Sequence, residues 1–158
     1  MTLGGSLHHS SGRDSWSTPA AFFDVINHKY RFQLDACAEP WSAKCPQYYT
    51  RQDNGLIMPW KSWTWCNPPY SQIANWYEKA VSEMSFGASS VLLTFARTDT
   101  KAFHQYALKA SEIVFIQGRL RFVSPDTRRQ EHPAPSPSIL VIFDCDRVGE
   151  TKFSTLKA

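Results

Sequence analysis

The stretch Trp63-Thr64-Trp65-Cys66-Asn67-Pro68-Pro69-Tyr70-Ser71 decides how this chain is read. Its first four residues form a short apolar run that reads as a strand end. Two prolines then stop it, because neither donates a backbone hydrogen bond and both fix φ. Asn67 brings a side-chain carbonyl that accepts hydrogen bonds. The backbone carbonyl of Pro68 is a second acceptor on a rigid tract, and Tyr70 adds an aromatic face. A planar amine held between two such acceptors loses conjugation with its ring, and its lone pair becomes available for attack. The same four residues, Asn67 to Tyr70, also suit a plain turn leaving a sheet. The neighbouring elements must decide.

Downstream, Ser71 is placed to cap a helix in which Ile73, Trp76, Tyr77, Ala80, Val81 and Met84 keep helical spacing, with Gly87 ending it. Ser90–Phe95 is an apolar run of strand length. A helix over 101–110 follows, with Phe103, Tyr106 and Ala107 on one side. Glu112–Gln117 and Ser138–Phe143 read as strands around 124–137, a stretch too rich in proline for either element. Upstream, Thr18-Pro19 reads as N-cap and first helical residue, with Phe22, Phe23 and Ile26 on one face and an end near His28. Phe32–Cys37 reads as a buried strand carrying Asp35 near its end. Residues 38–60 hold Pro40, Pro46, Gly55 and Pro59 and no long period, and 1–13 read as a mobile Gly/Ser-rich arm before a domain over 16–158.

Alternating strands and helices predict a parallel α/β sheet with helices on both faces. Ligands in such sheets bind beyond the carboxyl ends of the strands. Asp35 and Asn67 both sit at or just past such ends, so both should face one crevice, which favours a site over a turn. Only about two dozen residues separate Cys37 from Trp63, enough for one crossover. The sheet should therefore be trimmed on that side, with at most one short extra strand near Tyr48-Tyr49-Thr50.

The length, 158 residues, fits one domain with a substantial core. No apolar run reaches the ~20 residues of a membrane span, and the N-terminus lacks the apolar region of a signal peptide. Cys37, Cys45, Cys66 and Cys145 show no C-x-x-C spacing, so no metal site is expected and a reduced, cytoplasmic setting is. A net charge of +3 is too small to argue nucleic-acid binding by itself. Its distribution is more informative: Arg119, Arg121, Arg128 and Arg129 cluster, with Arg97 and Lys101 upstream. An ordinary solvated face is the plain alternative.

Several segments together resemble the small DNA N6-adenine methyltransferases of phages and prophages. They are Trp16-Ser17-Thr18-Pro19, Leu34-Asp35-Ala36-Cys37-Ala38, Asp53-Asn54-Gly55-Leu56, Asn67-Pro68-Pro69-Tyr70-Ser71, Gly118-Arg119-Leu120-Arg121-Phe122 and the strand ending Ile142-Phe143. They fall in order across residues 16–143. The resemblance implies a Rossmann-like class I methyltransferase fold in a single compact domain, with S-adenosylmethionine as methyl donor. It implies cofactor contacts from Trp16, Ser17, Thr18 and Pro19, from Asp35, Ala36 and Cys37, and from Asn67. Asp53 is assigned to the adenosine end, with a surface turn before Gly55 as the alternative. Asn67, Pro68, Pro69 and Tyr70 become the catalytic tetrapeptide acting on a flipped adenine. DNA contacts are expected from Ser71, Arg97, Lys101, Arg119, Arg121, Arg128 and Arg129. One departure stands out: Ala38-Glu39-Pro40 replaces the glycine-rich turn usual after the first strand.

With no room for a separate recognition domain, specificity should be short or relaxed, read by the arm and by 40–60 and 124–137. The enzyme should act on DNA in the bacterial host cytoplasm, as monomer or homodimer, with protection from restriction as its role. Two rivals remain open. The same tetrapeptide serves methylation of RNA amines and of glutamine amides in protein, and a non-catalytic DNA-binding module could share the fold.

Overall fold

A computed structural model describes residues 15–158, so the arm expected over 1–13 lies outside the described residues. Six strands form one sheet: β1 (Leu34–Asp35), β2 (Thr64–Cys66), β3 (Ser90–Phe95), β4 (Glu112–Gln117), β5 (Ser138–Phe143) and β6 (Lys152–Lys157). Their spatial order is β1-β2-β3-β5-β4-β6. β1, β2 and β3 run parallel, and β6 runs parallel to β4. β5 is antiparallel to both its neighbours, so the parallel sheet expected from the sequence is mixed at this strand. The cause is the connection. The chain between β4 and β5 holds no helix, only the proline-broken loop, and without a crossover a strand returns antiparallel.

Helices cover both faces, as expected. α1 (Ala20–Tyr30) lays Phe22, Phe23 and Ile26 against Trp65, Val91, Leu93, Leu140 and Ile142. α2 (Ile73–Ser85) and α3 (Lys101–Gln105) bring Trp76, Tyr77, Ala80 and Phe103 to Leu34, Cys66, Leu92, Ile113 and Val141. Alternate residues of β3 thus enter opposite cores, as the period of a strand requires. Each large apolar side chain so buried contributes about 2 kcal/mol of transfer free energy.

The helix boundaries differ in detail from expectation. Pro19 occupies the N-cap of α1, so the helix starts at Ala20, and Thr18 makes no capping bond. The helix runs on to Tyr30 because Arg31 turns left-handed (φ 56°) and the Asn27 side chain accepts from Phe32 N–H at 2.8 Å. Ser71 does not cap α2. It lies inside a 3-10 turn, Tyr70–Gln72, that leads into the helix. The helix expected over 101–110 breaks at Tyr106 into α3 and a 3-10 turn, Ala107–Lys109. The strand expected over Phe32–Cys37 shrinks to the two residues of β1, and β6 was not foreseen. Among the described residues no helix is long and apolar enough to cross a membrane.

Candidate active site

β1 and β2 are short neighbouring parallel strands, and their carboxyl ends lie side by side. The main chain continues the pairing past β1: Ala36 N–H donates to Trp65 O at 2.9 Å. On its other side β1 is extended by a single parallel bridge, Asp35 to Tyr48. The sequence allowed at most one short extra strand near Tyr48; among the described residues only this bridge is found there, so the sheet is short on this side.

Asp35 is buried (2% exposed). Its Oδ1 accepts from Cys37 N–H at 3.3 Å and its Oδ2 from Lys44 N–H at 3.0 Å. Burial pushes its pKa up to about 7, against the pull of those two N–H groups and of the Lys44 charge. Burial also pushes the Cys37 thiol up to about 12, reinforced by the Asp35 and Glu39 charges, so Cys37 is an unreactive thiol.

Asp35, Ala36 and Cys37 line a cleft of about 300 Å³, together with Trp16, Ser17, Thr18, Asn54, Gly55 and Trp76. The departure from a glycine-rich turn is resolved here. A Cβ on Gly55 would lie 2.1 Å from Ala36 O, so the glycine that permits close backbone approach comes from a different segment. Trp60 Nε1 holds that loop by donating to Gly55 O at 2.8 Å. Sequence reasoning quoted Gly55 only as part of a motif; the signal available was the absence of glycine after β1.

Asp53 sits in a turn before Gly55. Its carboxylate is exposed and accepts from Thr50 N–H at 2.8 Å and Thr50 Oγ1 at 2.7 Å, which holds its pKa below the usual range. It closes the turn, while its neighbour Asn54 lines the cleft.

Asn67 follows β2 directly. Its Nδ2 donates to Trp16 O at 3.0 Å, and its Oδ1 accepts a long bond, 3.4 Å, from the Tyr70 hydroxyl. Pro68 is buried and Pro69 is extended (φ −61°, ψ 122°) and borders the 300 Å³ cleft. Tyr70 faces the other way. Its ring packs on Phe95, centroids 4.0 Å apart, and lines a second, mainly apolar cavity of about 720 Å³ with Arg97, Phe122 and His132. Trp16 borders both spaces. Its segment is held by a two-bond antiparallel bridge, Ser17 N–H to Val123 O at 3.0 Å and Val123 N–H to Ser17 O at 2.8 Å.

The expected DNA contacts divide. Arg97 borders the larger cavity, and its guanidinium lies 5.9 Å from the Phe95 ring. Arg119 and Arg121 each spend one nitrogen on the loop, donating to Ala134 O at 3.1 Å and Glu131 O at 2.7 Å. The Arg128 guanidinium carbon lies 3.9 Å from the centre of the Trp41 ring, which joins the 124–137 loop to the 40–60 segment. Arg129 and Lys101 are exposed. Ser71 is exposed at the border of the 300 Å³ cleft, not the larger cavity.

The residues around the smaller cleft suit S-adenosylmethionine. Thr18 Oγ1 and Trp76 Nε1 are buried there with no hydrogen-bond partner among the described residues, so both are available to polar groups of a ligand. The buried Asp35 carboxylate matches an ammonium. The volume reaches the lower end of small-molecule pockets.

A six-stranded mixed α/β sheet with a cleft at the ends of β1 and β2, beside a larger apolar cavity, fits a methyltransferase fold. The chain belongs to the DNA N-6-adenine-methyltransferase (Dam) family, whose model matches residues 5–157. It is an adenine-specific DNA methyltransferase. It is 30% identical over 139 residues to the DNA N-6-adenine-methyltransferase of Haemophilus phage HP1, a match covering 85% of this chain and 80% of that protein. It is 27% identical over 158 residues to the protein of the same name from Escherichia phage T1, covering 89% and 66% respectively. A putative methyltransferase of Escherichia coli K12, YfdM, is 38% identical over 65 residues, 36% of this chain and 71% of that protein.

Proposed function

We propose that this enzyme binds S-adenosylmethionine in the 300 Å³ cleft and methylates N6 of an adenine that has left the duplex and entered the 720 Å³ cavity. The supporting observation is the position of the tetrapeptide between the two spaces: Asn67 borders the first, Tyr70 borders the second, and Trp16 borders both. The parallel order β1-β2-β3, with Asp35 and Asn67 at strand ends, is what a Rossmann-like class I arrangement requires.

When bound, S-adenosylmethionine supplies an electrophilic methyl on a sulfonium sulfur. The chain's own groups prepare the nucleophile. Adenine stacks on Tyr70, and its amine donates to Asn67 Oδ1 and the Pro68 carbonyl, which localises the nitrogen lone pair. The Trp16 carbonyl fixes which end of the Asn67 amide faces the amine. Removing bulk water from this apolar cavity strengthens these hydrogen bonds. No strong base is needed, because the attacking nitrogen becomes acidic once methylated and its proton leaves afterwards. Asp35, with Thr18, holds the methionine end.

The recognition surface is short. Arg119, Arg121, Arg128 and Arg129 grip phosphates, while 40–60 and 124–137 read few bases, so specificity is short or relaxed. Mapping methylated adenines on long random DNA tests this; a strict site of six or more base pairs overturns it. The catalytic assignment is tested by methyl transfer to DNA, RNA and protein side by side, with Asn67→Ala in parallel. Near-normal DNA methylation by that variant overturns the role of Asn67.

A further inference from the structure

We propose that Lys44 binds the carboxylate of the methionine end, so that Lys44 and Asp35 together form a receptor for an α-amino-acid zwitterion. This rests on the reading of the 300 Å³ cleft as the S-adenosylmethionine site.

Lys44 lines the same cleft as Asp35 and is half-buried. Among the described residues its ammonium joins no ion pair. It is close enough to feel the Asp35 and Asp24 charges, and burial draws its pKa down against them. A half-buried ammonium that lines a cleft and joins no ion pair is placed to receive an anionic group of a ligand. Its placement is also set by the fold. The Lys44 backbone N–H donates to Asp35 Oδ2 at 3.0 Å. The residues on either side are pinned by a Glu39–Ser42 turn and by the Cys45 thiol donating to Phe32 O at 3.8 Å. One residue therefore fixes the anion of the site with its backbone and offers a cation with its side chain. The unpartnered Thr18 hydroxyl stands in the same cleft to complete the carboxylate's hydrogen bonds.

The plain alternative is that Lys44 only balances Asp35 and Asp24. The two roles separate with a ligand that lacks one charge. Calorimetry would compare S-adenosylmethionine with decarboxylated S-adenosylmethionine on the wild-type chain, Lys44→Met and Lys44→Arg. Methionine keeps the length of the stem and the backbone N–H while removing the charge. The wild-type chain should prefer the intact ligand by about ten- to hundredfold, the range of one charge-assisted hydrogen bond. Lys44→Met should collapse that preference to about threefold or less, losing affinity for the intact ligand while still binding the decarboxylated one, which also shows that it is folded. Lys44→Arg should restore part of the preference. A preference that persists in Lys44→Met, or both ligands weakened by the same factor, overturns the proposal. If the wild-type chain binds neither ligand, the assignment of the cleft itself fails, and this inference with it.

Discussion

The side-chain amide of Asn67 donates from Nδ2 to the backbone carbonyl of Trp16 at 3.0 Å, a bond across 51 positions of sequence. It sets the amide's orientation and leaves Oδ1 as the acceptor. Asn67→Asp is therefore not a mild change: a carboxylate oxygen would face the Trp16 carbonyl, two acceptors without a proton between them. We expect kcat to fall by roughly 10²–10³, the scale of losing one preorganised group, with the Kd for S-adenosylmethionine changed by less than about tenfold. Single-turnover methylation alongside calorimetry separates the two. An active aspartate variant would show that the Trp16 contact does not orient the side chain.

Tyr70 offers a sharper division. Its hydroxyl reaches Asn67 Oδ1 only at 3.4 Å, whereas its ring stacks on Phe95 and borders the larger cavity. Tyr70→Phe should change kcat/KM by no more than about threefold, since a bond this long is weak. Tyr70→Ala should weaken binding of an extruded base by ~1–3 kcal/mol, the worth of one aromatic stack. Fluorescence of 2-aminopurine at the target position reports it directly. Equal losses in both variants would place the chemistry in the hydroxyl instead.

Asp35 makes the protein sensitive to pH. Its folded pKa, about 7, lies above the ordinary 3.8, so the folded state holds this proton more tightly than the unfolded chain. The stability it contributes is full below about pH 4 and is lost as pH rises through about 7, amounting to roughly 4 kcal/mol at most. A bound ammonium reverses the preference by favouring the carboxylate. Affinity for S-adenosylmethionine should thus rise from pH 6 to pH 8, with proton release at the lower value, and Asp35→Asn should flatten the profile. Calorimetry in buffers of different ionisation enthalpy measures both. A flat wild-type profile would remove Asp35 from the ammonium.

Gly55→Ala places a methyl 2.1 Å from Ala36 O and 3.1 Å from the Trp76 ring, and the obstructing oxygen is backbone that cannot rotate away. Overpacking of this kind costs about 1–3 kcal/mol or more. Urea unfolding should show that loss, and cofactor affinity should fall with it because Ala36 floors the cleft.

Among the arginines, Arg129→Ala should lower the slope of log K against log salt for DNA binding by about one, with little effect on folding. Arg121→Ala should do the same and also loosen the loop, because Arg121 holds Glu131 O. An unchanged slope in both would move the DNA path elsewhere.

Much of this architecture is legible in the sequence. The Trp76, Tyr77, Ala80 spacing gave α2, and the run Ser90–Phe95 gave β3 at its observed bounds, because burial on one or both faces leaves a period in the sequence. The convergence of Asp35 and Asn67 followed from strand order. The direction of β5 did not, since Ser138–Phe143 is buried on both faces and reads the same either way. β6 hid for the opposite reason. It is a largely exposed edge strand whose lysines and hydroxyls carry no core signal. Asp53 stayed open because a carboxylate beside a glycine suits a turn as well as a ligand. The absence of a glycine after β1 points toward Gly55, but its approach to Ala36, like that of the Lys44 backbone to Asp35, is made only by tertiary folding.

The Ser17–Val123 bridge bears on when the enzyme becomes active during its synthesis. Every residue of the tetrapeptide Asn67 to Tyr70 has been made by position 70, yet the segment bonded to Asn67 is fastened only once Val123 has emerged. A nascent chain that ends short of Val123 carries the whole tetrapeptide but not the bridge that holds the segment beside it. That wall of the cleft is in place only after the last third of the polypeptide has reached back to clasp the first.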